Sequence, residues 1–260
     1  MPWTTDLSRS LVSCKIMEHI IFSQIMCHLD IQHGFRKSHS CETQLLITLE
    51  DLARNLDHGK QSVVILLDFA KAFDTVPHQR LLLKLSHYGV QGTINKWIQA
   101  CLCYREQSIL VEGEKSAPVS VMSCIPQGTV LGPLMFLIYI NDIGVNIKSH
   151  IRLFVDDTLL YATVSSKDDS NTLQQDLESL VAWTKLWQMS FNCDKCKILR
   201  VYRSRNPVVH QYTMNGTPLD SVSSHPYLGV ELFSKLNCSF RIENIIGKAN
   251  RSLGFIRRNL

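Results

Sequence analysis

Strands and helices in irregular alternation predict an α+β chain of one large domain or two small ones. Three observations carry that reading. Ser62–Leu67 is a short continuous apolar run, as expected of a strand covered on both faces. Ile151–Val155 and Thr158–Val164 are two more apolar runs, parted only by Asp156 and Asp157. Between and after them come segments of helical spacing, the longest with Leu173, Leu177, Leu180, Val181, Thr184 and Trp187 on one face.

Taken in order, Lys15–Leu29 has Ile16, Ile20, Ile21, Ile25 and Leu29 near helical spacing. Gln32–Cys41 is polar and basic, broken at Gly34. Cys41–Leu56 aligns Leu45, Leu49, Leu52 and Leu56 on a helix face, and Gly59 ends it. Pro77 suits the first turn of a helix to Tyr88, with Gly89 past its end. Thr93 is the expected N-cap of a helix facing inward through Ile94, Trp97, Ile98 and Cys101. Ser108–Val121 predicts a strand pair around Glu112-Gly113, and Pro133–Ile140 a buried helix. Ser165–Asn171 is expected to be a loop, and Lys197–Tyr202 and Tyr227–Leu232 strands.

The totals exclude several classes. With 45% hydrophobic and 19% charged residues, general disorder is excluded. Nine cysteines, an odd number without regular spacing, read as reduced thiols of an intracellular protein. Cys193 and Cys196 form a lone CxxC without the further ligands that zinc requires. Neither a signal peptide nor a membrane span is expected, since the nearly apolar run Val130–Ile140 is short and contains Gly132 and Pro133. Residues 195–260 hold eleven Lys/Arg against Asp220, Glu231 and Glu243, a net +8 within a chain of +4, leaving −4 for the rest. A basic end of this kind suits a polyanionic partner.

The carboxylates are the candidate chemistry. Asp68 ends a strand that reads as wholly buried, and Asp156-Asp157 sits where two apolar strands meet. One reading makes Asp68 a cap and the pair a hairpin turn, where Asp is common. The other notes that a two-residue turn prefers Asn-Gly or Asp-Gly, and that adjacent carboxylates beside a core call for a cation. Magnesium, held by a few carboxylates together with substrate phosphates, is the obvious candidate.

At this point the residues resemble a family. LLDFAKAFDTVPH (66–78), IPQGTVLGPLMFLIYINDI (125–143) and LFVDDTLLY (153–161) resemble the first three palm motifs of reverse transcriptases. WQMSFNCDKCKIL (187–199) is similar to the fourth, YLGV (227–230) to the next, and QHGFRKSHSCETQL (32–45) to a fingers segment typical of non-LTR elements. The motifs occur in family order over roughly residues 15–257. The resemblance implies a right-hand polymerase with an antiparallel palm sheet backed by helices. Residues 1–61 would be the first part of the fingers, 62–232 the palm with a fingers insertion near 75–122, and 233–260 the basic start of a thumb.

What the family does then sets the site expectations. Asp68, Asp156 and Asp157 would be the metal-binding catalytic carboxylates, using magnesium, or manganese in its place. Lys195 would protonate the departing pyrophosphate. Arg36 would reach the triphosphate, Phe69, Phe73, Gln127 and Gly128 would line the nucleotide pocket, and Phe73 would exclude a 2′-hydroxyl. Tyr227, Leu228 and Gly229 would brace the primer. The implied partners are an RNA template, a DNA primer and dNTPs. Departures from the pattern include Ser38 and His39 where Gly and Arg are usual, and Val155 in place of alanine. The chain stops at Leu260, so a fragment lacking most of a thumb is expected. The alternative from another class is an element-derived nucleic-acid-binding protein without catalysis; RNA-to-RNA copying is disfavoured by Phe73.

Overall fold

The computed structural model describes residues 15–16, 18–21, 34, 39–103, 106–112, 114–126, 129–236 and 239–259. Residues 18–21 are helical; most of the remaining Lys15–Leu29 expectation lies outside the described residues. Helix α1 (Cys41–Asp57) starts at a reciprocal capping box, with Ser40 and Thr43 each bonding the other's backbone N–H. It leads into β1 (Gln61–Leu67), whose seven residues are all buried. A single turn, α2 (Ala72–Thr75), precedes α3 (His78–His87) and α4 (Gly92–Leu102). The expected Thr93 cap is corrected: Gln91 is the N-cap, without a side-chain bond. Asn95 instead donates to the carbonyls of Leu82 and Val90, tying α4 to the preceding turn.

The strand pair around Glu112 is two nested ladders. β2 (Glu106–Gln107) pairs with β5 (Val119–Ser120), and β3 (Leu110–Val111) with β4 (Glu114–Lys115). Helix α5 (Leu131–Ile140) is apolar all round, and nine of its ten residues are buried. Strands β6 (His150–Phe154) and β7 (Asp157–Val164) form the carboxylate hairpin. Helix α6 (Lys167–Leu186) begins inside the segment read as a loop, because Ser166 and Asp169 close a second capping box. Then come β8 (Lys197–Val201), the short pair β9 (Thr213–Met214) and β10 (Thr217–Pro218), and β11 (Asp220–Val222). The expected strand Tyr227–Leu232 is a hairpin, β12 (Ser224–Tyr227) and β13 (Val230–Phe233), and α7 (Ser239–Asn259) follows.

The main sheet runs β11-β8-β1-β7-β6, antiparallel except where β11 lies parallel to β8 at the edge. Alternation along β1 divides the core. Val63, Ile65 and Leu67 join the larger cluster with Phe136, Leu173 and Leu180, while Val64 and Leu66 face Leu45, Leu52 and Leu56 of α1 and Tyr227. On the α1 side, Tyr161 and Arg152 both reach the Asp51 carboxylate, at 2.5 and 3.2 Å. On the other, Asp176 of α6 accepts from the Lys148 and Ser149 backbone N–H groups and the Ser149 hydroxyl, fixing the approach to β6. Among the described residues no helix is long and apolar enough to cross a membrane.

One buried cation links three helices. Lys84 of α3 is 3% exposed, pairs with Asp142 at 2.5 Å and donates to the Tyr139 carbonyl at the end of α5. Its ammonium lies 3.8 Å from the Trp187 ring centroid and 4.5 Å from that of Trp183. Burial outweighs the Asp142 attraction and lowers its pKa to about 8. Lys84→Ala is expected to cost about 3 kcal/mol of stability in denaturant titration, whereas Lys84→Met, which keeps the stem, should recover most of it. An unfolded lysine holds its proton to about pH 10.4, so wild-type stability should rise between pH about 8 and about 10.4 relative to Lys84→Met. A parallel pH dependence in the two proteins would show that Lys84 does not titrate in the folded chain.

Candidate active site

Asp68 stands where it does because β1 is clamped on both sides. Leu67 pairs with Thr158, so the chain leaves the sheet at Asp68 beside Asp157. The next residues are held against residues 190–192: Asn192 N–H donates to the Asp68 carbonyl at 2.8 Å, and Ala70 N–H to that of Ser190 at 2.9 Å. The Asp68 N–H itself points at Cys196 Sγ, 3.5 Å away. Phe69 is buried, its ring 4.7 Å from Phe191 and edge-on to Phe136 at 6.3 Å. It packs beneath the site as a support for the aspartate before it.

The turn between β6 and β7 is Val155-Asp156 rather than Asp156-Asp157, because Phe154 pairs with Asp157. Val155 has φ 57°, a left-handed conformation costly for a β-branched residue. It is wedged from the N-terminal side: a Cβ on Gly34 would sit 2.8 Å from Val155 Cγ2 and 3.1 Å from its backbone nitrogen. Only glycine lets the two backbones approach so closely. Asp156 and Asp157 are exposed. The Asp157 pKa is raised to about 6 by partial loss of hydration and by the charges of Asp156 and Asp68. The residue keeps an exposed surface, which limits the effect of burial and leaves the two neighbouring carboxylates a large share.

Asp68 and Asp157 open into a cavity of about 340 Å³ that Lys195, Lys197, His225 and Tyr227 also line. Lys195 Nζ lies 3.2 Å from Asp68 Oδ2. That oxygen is shielded from solvent and accepts no hydrogen bond, so the contact is close in charge but poor in direction. A shielded, unbonded carboxylate oxygen beside like charges fits a hard divalent cation, which takes oxygen ligands. Among the described residues no three His, Cys, Asp or Glu side chains converge tightly enough to hold a metal by themselves. The donor set therefore suits an ion whose shell is completed by phosphate oxygens and water, as magnesium's usually is.

Phe73 lines a second cavity, about 730 Å³, with Lys15, His19, Pro126, Thr129 and Val130 among its walls. Its ring stacks on Phe136 at 4.6 Å, and its carbonyl accepts from Ile125 N–H at 2.8 Å. These contacts bring Ile125, just before Gln127-Gly128 in sequence, beside α2, the helical turn that follows Asp68. Tyr227 is buried under the β12–β13 turn, and its hydroxyl accepts from Gln44 Nε2 at 3.2 Å. Leu228 and Gly229, φ 48° and 77°, make the two central positions of that turn, both left-handed as a type I′ hairpin requires.

The structure thus gathers Asp68, Asp157, Lys195 and Tyr227 around one cavity, with Asp156 on the adjoining turn, and places Phe73 on a second cavity. Arg36, Gln127 and Gly128 lie outside the described residues. Sequence reasoning missed Cys196, Lys197, His225 and Gly34. The CxxC drew attention to Cys196 only as a zinc ligand, whereas it is buried against the Asp68 backbone, with a thiol pKa pushed up to about 11 by burial. The others carry no local signal, because their roles come from tertiary contact.

Comparison with known proteins shows the family and the fold. The family described as reverse transcriptase (RNA-dependent DNA polymerase) matches residues 5–232. The RNA-directed DNA polymerase from mobile element jockey of Drosophila melanogaster is 26% identical over 247 residues, covering 89% of this chain and 27% of that protein. The probable RNA-directed DNA polymerase from transposon BS of the same fly is 28% identical over 226 residues, covering 80% and 24%. A Pol polyprotein from type-1 retrotransposable element R2 of Popillia japonica is 24% identical over 196 residues, covering 68% and 32%. The chain thus spans about a quarter of the length of the first relatives. Apo telomerase from Candida tropicalis, truncated from its C-terminal domain, shares the fold with TM-score 0.58 at 10% identity over 87% of this chain and 44% of that one. Telomerase from Candida albicans, in complex with a fragment of telomeric RNA, gives TM-score 0.58 at 12% identity over 87% and 37%.

The contact of Gly34 with Val155 is directly testable. Gly34→Ala should cost about 1–3 kcal/mol by overpacking the strained turn. Val155→Ala removes the nearer clashing atom, so the double variant should recover part of that loss. A coupling of at least about 0.5 kcal/mol in the double-mutant cycle is expected; additivity would mean the two residues do not touch in solution.

Proposed function

The chain belongs to the reverse transcriptase (RNA-dependent DNA polymerase) family, and on that premise we propose that it is the fingers-and-palm part of a non-LTR retrotransposon enzyme that extends a DNA primer on an RNA template. The observation that carries the reading is the meeting of Asp68 and Asp157 at one end of the buried β1–β7 ladder, with Asp156 on the turn. In this reading residues 1–61 belong to the fingers, 62–232 form the palm with a fingers insertion near 75–122, and 233–260 begin the thumb.

Asp68 and Asp156 would hold magnesium, or manganese in its place, with Asp157 completing the negative cluster. Bound divalent metal supplies a more acidic primer 3′-hydroxyl and neutralises the triphosphate. The chain's own residues do the remaining work, which is positioning and charge stabilisation. Lys195, already drawn to the cluster at 3.2 Å from Asp68, is placed to give a proton to pyrophosphate as it leaves. Tyr227, Leu228 and Gly229 brace the primer end, the tight turn presenting backbone rather than side chain. Phe73, held flat on Phe136, gives a rigid wall against a ribose 2′-hydroxyl. Arg36 would bind the triphosphate, and Phe69, Gln127 and Gly128 would shape the nucleotide pocket from beneath and beside it.

A second reading, a nucleic-acid-binding protein without catalysis, draws on the Lys195–Asp68 contact, which would then be a resting ion pair. Extension of a DNA primer on an RNA template, with magnesium and dNTPs, separates the two. Asp156→Ala is expected to reduce extension by more than about 100-fold, beyond the loss usual for outer-shell partners of a metal. Phe73→Ala should keep extension and gain rNTP incorporation. A folded wild-type chain that binds RNA–DNA duplex in a salt-dependent way but never extends it would support the second reading.

A further inference from the structure

The N-terminus of α5 has an unusual set of partners. A helix start leaves its first backbone N–H groups without intrahelical acceptors. Here the N-cap, Val130, provides no side-chain cap, and the first turn contains no acidic residue. The N–H of Gly132 is met locally by Thr129 Oγ1 at 3.0 Å, and Pro133 has none to satisfy. That leaves Val130 and Leu131. Both donate to Glu18 Oε2, at 2.7 and 3.4 Å, across a separation of 112 residues for the first. Glu18 thus supplies by tertiary contact the carboxylate that helix starts commonly carry in their own sequence.

The start of α5 is also packed closely against Pro126. The Thr129 hydroxyl donates to the Pro126 carbonyl at 2.9 Å. A Cβ on Gly132 would lie 2.6 Å from that carbonyl oxygen, so the close approach requires glycine. Pro126, Thr129, Val130 and Gly132 are walls of the cavity that Phe73 lines, and Lys15 and His19, from the same helical stretch as Glu18, complete it.

We propose that Glu18 is a positioning residue for nucleotide selection: by pinning the Val130 and Leu131 N–H groups it sets the Thr129–Gly132 start of α5, and thereby the wall of the nucleotide pocket facing Phe73. This rests on the polymerase reading above. Glu18 touches no reacting atom, so its loss acts on the incoming nucleotide's KM more than on kcat.

Two measurements test it. In primer extension by the full chain, Glu18→Ala should raise the dNTP KM by about tenfold, one charge-assisted contact's worth, with kcat changed by less than about twofold. Glu18→Gln keeps an acceptor oxygen and should restore most of the KM. Hydrogen exchange needs no activity: Glu18→Ala should speed exchange in a peptide spanning residues 125–132 and leave one spanning 61–67 unchanged. If the wild-type chain does not extend primers, the polymerase reading fails, and unaltered exchange at residues 125–132 then overturns the Glu18 contact independently. If it does extend, an unchanged KM in Glu18→Ala overturns the positioning role, as does a uniform rise in exchange across both peptides, which marks general destabilisation.

Discussion

A strand with no exposed residue cannot move without unpacking the protein, and β1 is such a strand. Its seven residues are buried between α1 and the β12–β13 hairpin on one face and α5 and α6 on the other, with β7 and β8 bonded along its edges. Asp68 is the first residue beyond that clamp. Its carboxylate therefore inherits a position fixed by several layers of apolar packing, not by the flexibility of a loop. The strands bonded to β1 carry the rest of the candidate site. β7 begins with Asp157, and β8 follows directly on Cys196, whose buried thiol faces the Asp68 N–H.

The opposing constraint is charge. Three carboxylates gathered at one end of a packed sheet repel one another, and this repulsion adds to the effect of burial in raising the Asp157 pKa. Lys195 offsets part of that repulsion, yet it is 65% exposed at the side chain and approaches Asp68 without hydrogen-bond geometry. An exposed lysine in an imperfect pairing exchanges partners easily, since surface pairs are weak. That weakness is consistent with the task proposed for it, which is to leave Asp68 and give a proton to the departing pyrophosphate. Lys84 is the contrast. Buried among Tyr139, Trp183 and Trp187, it has nowhere to go and ties α3 to the end of α5.

Local patterns in the sequence expressed much of this. Ser62–Leu67 reads as a strand buried on both faces because no polar residue after Ser62 breaks it before Asp68, and the structure places it at the centre of the sheet. Helix α1 was legible from its leucine spacing. The start of α6 was written as Ser166-x-x-Asp169 but hidden by polar composition, which resembles a loop until the reciprocal bonds are considered. Leu228-Gly229 concealed a hairpin because leucine is an improbable residue for a left-handed turn position. The parallel edge strand β11 had no signature at all, being three residues long and set by tertiary pairing. Of the site, the carboxylates were legible because charge at the end of an apolar run is conspicuous; the contacts of Cys196, His225 and Gly34 were not, since their partners lie far away in sequence.

The contacts that were illegible share a physical role. Gly34 presses on the strained Val155 turn, and Glu18 caps the helix behind the Phe73 cavity. Both reach from the N-terminal stretch onto elements that the palm sheet alone leaves undetermined, one a costly left-handed residue and the other a helix start without its own cap. Strain of the kind seen at Val155 persists only where surrounding structure over-determines it. The sheet can therefore place Asp68 and Asp157 through β1 and β7, but holding the turn that bears Asp156 and the wall opposite Phe73 depends on residues from outside the sheet. The division explains why the N-terminal stretch, whose described residues give the core Ile21, is joined to the site at two separate points.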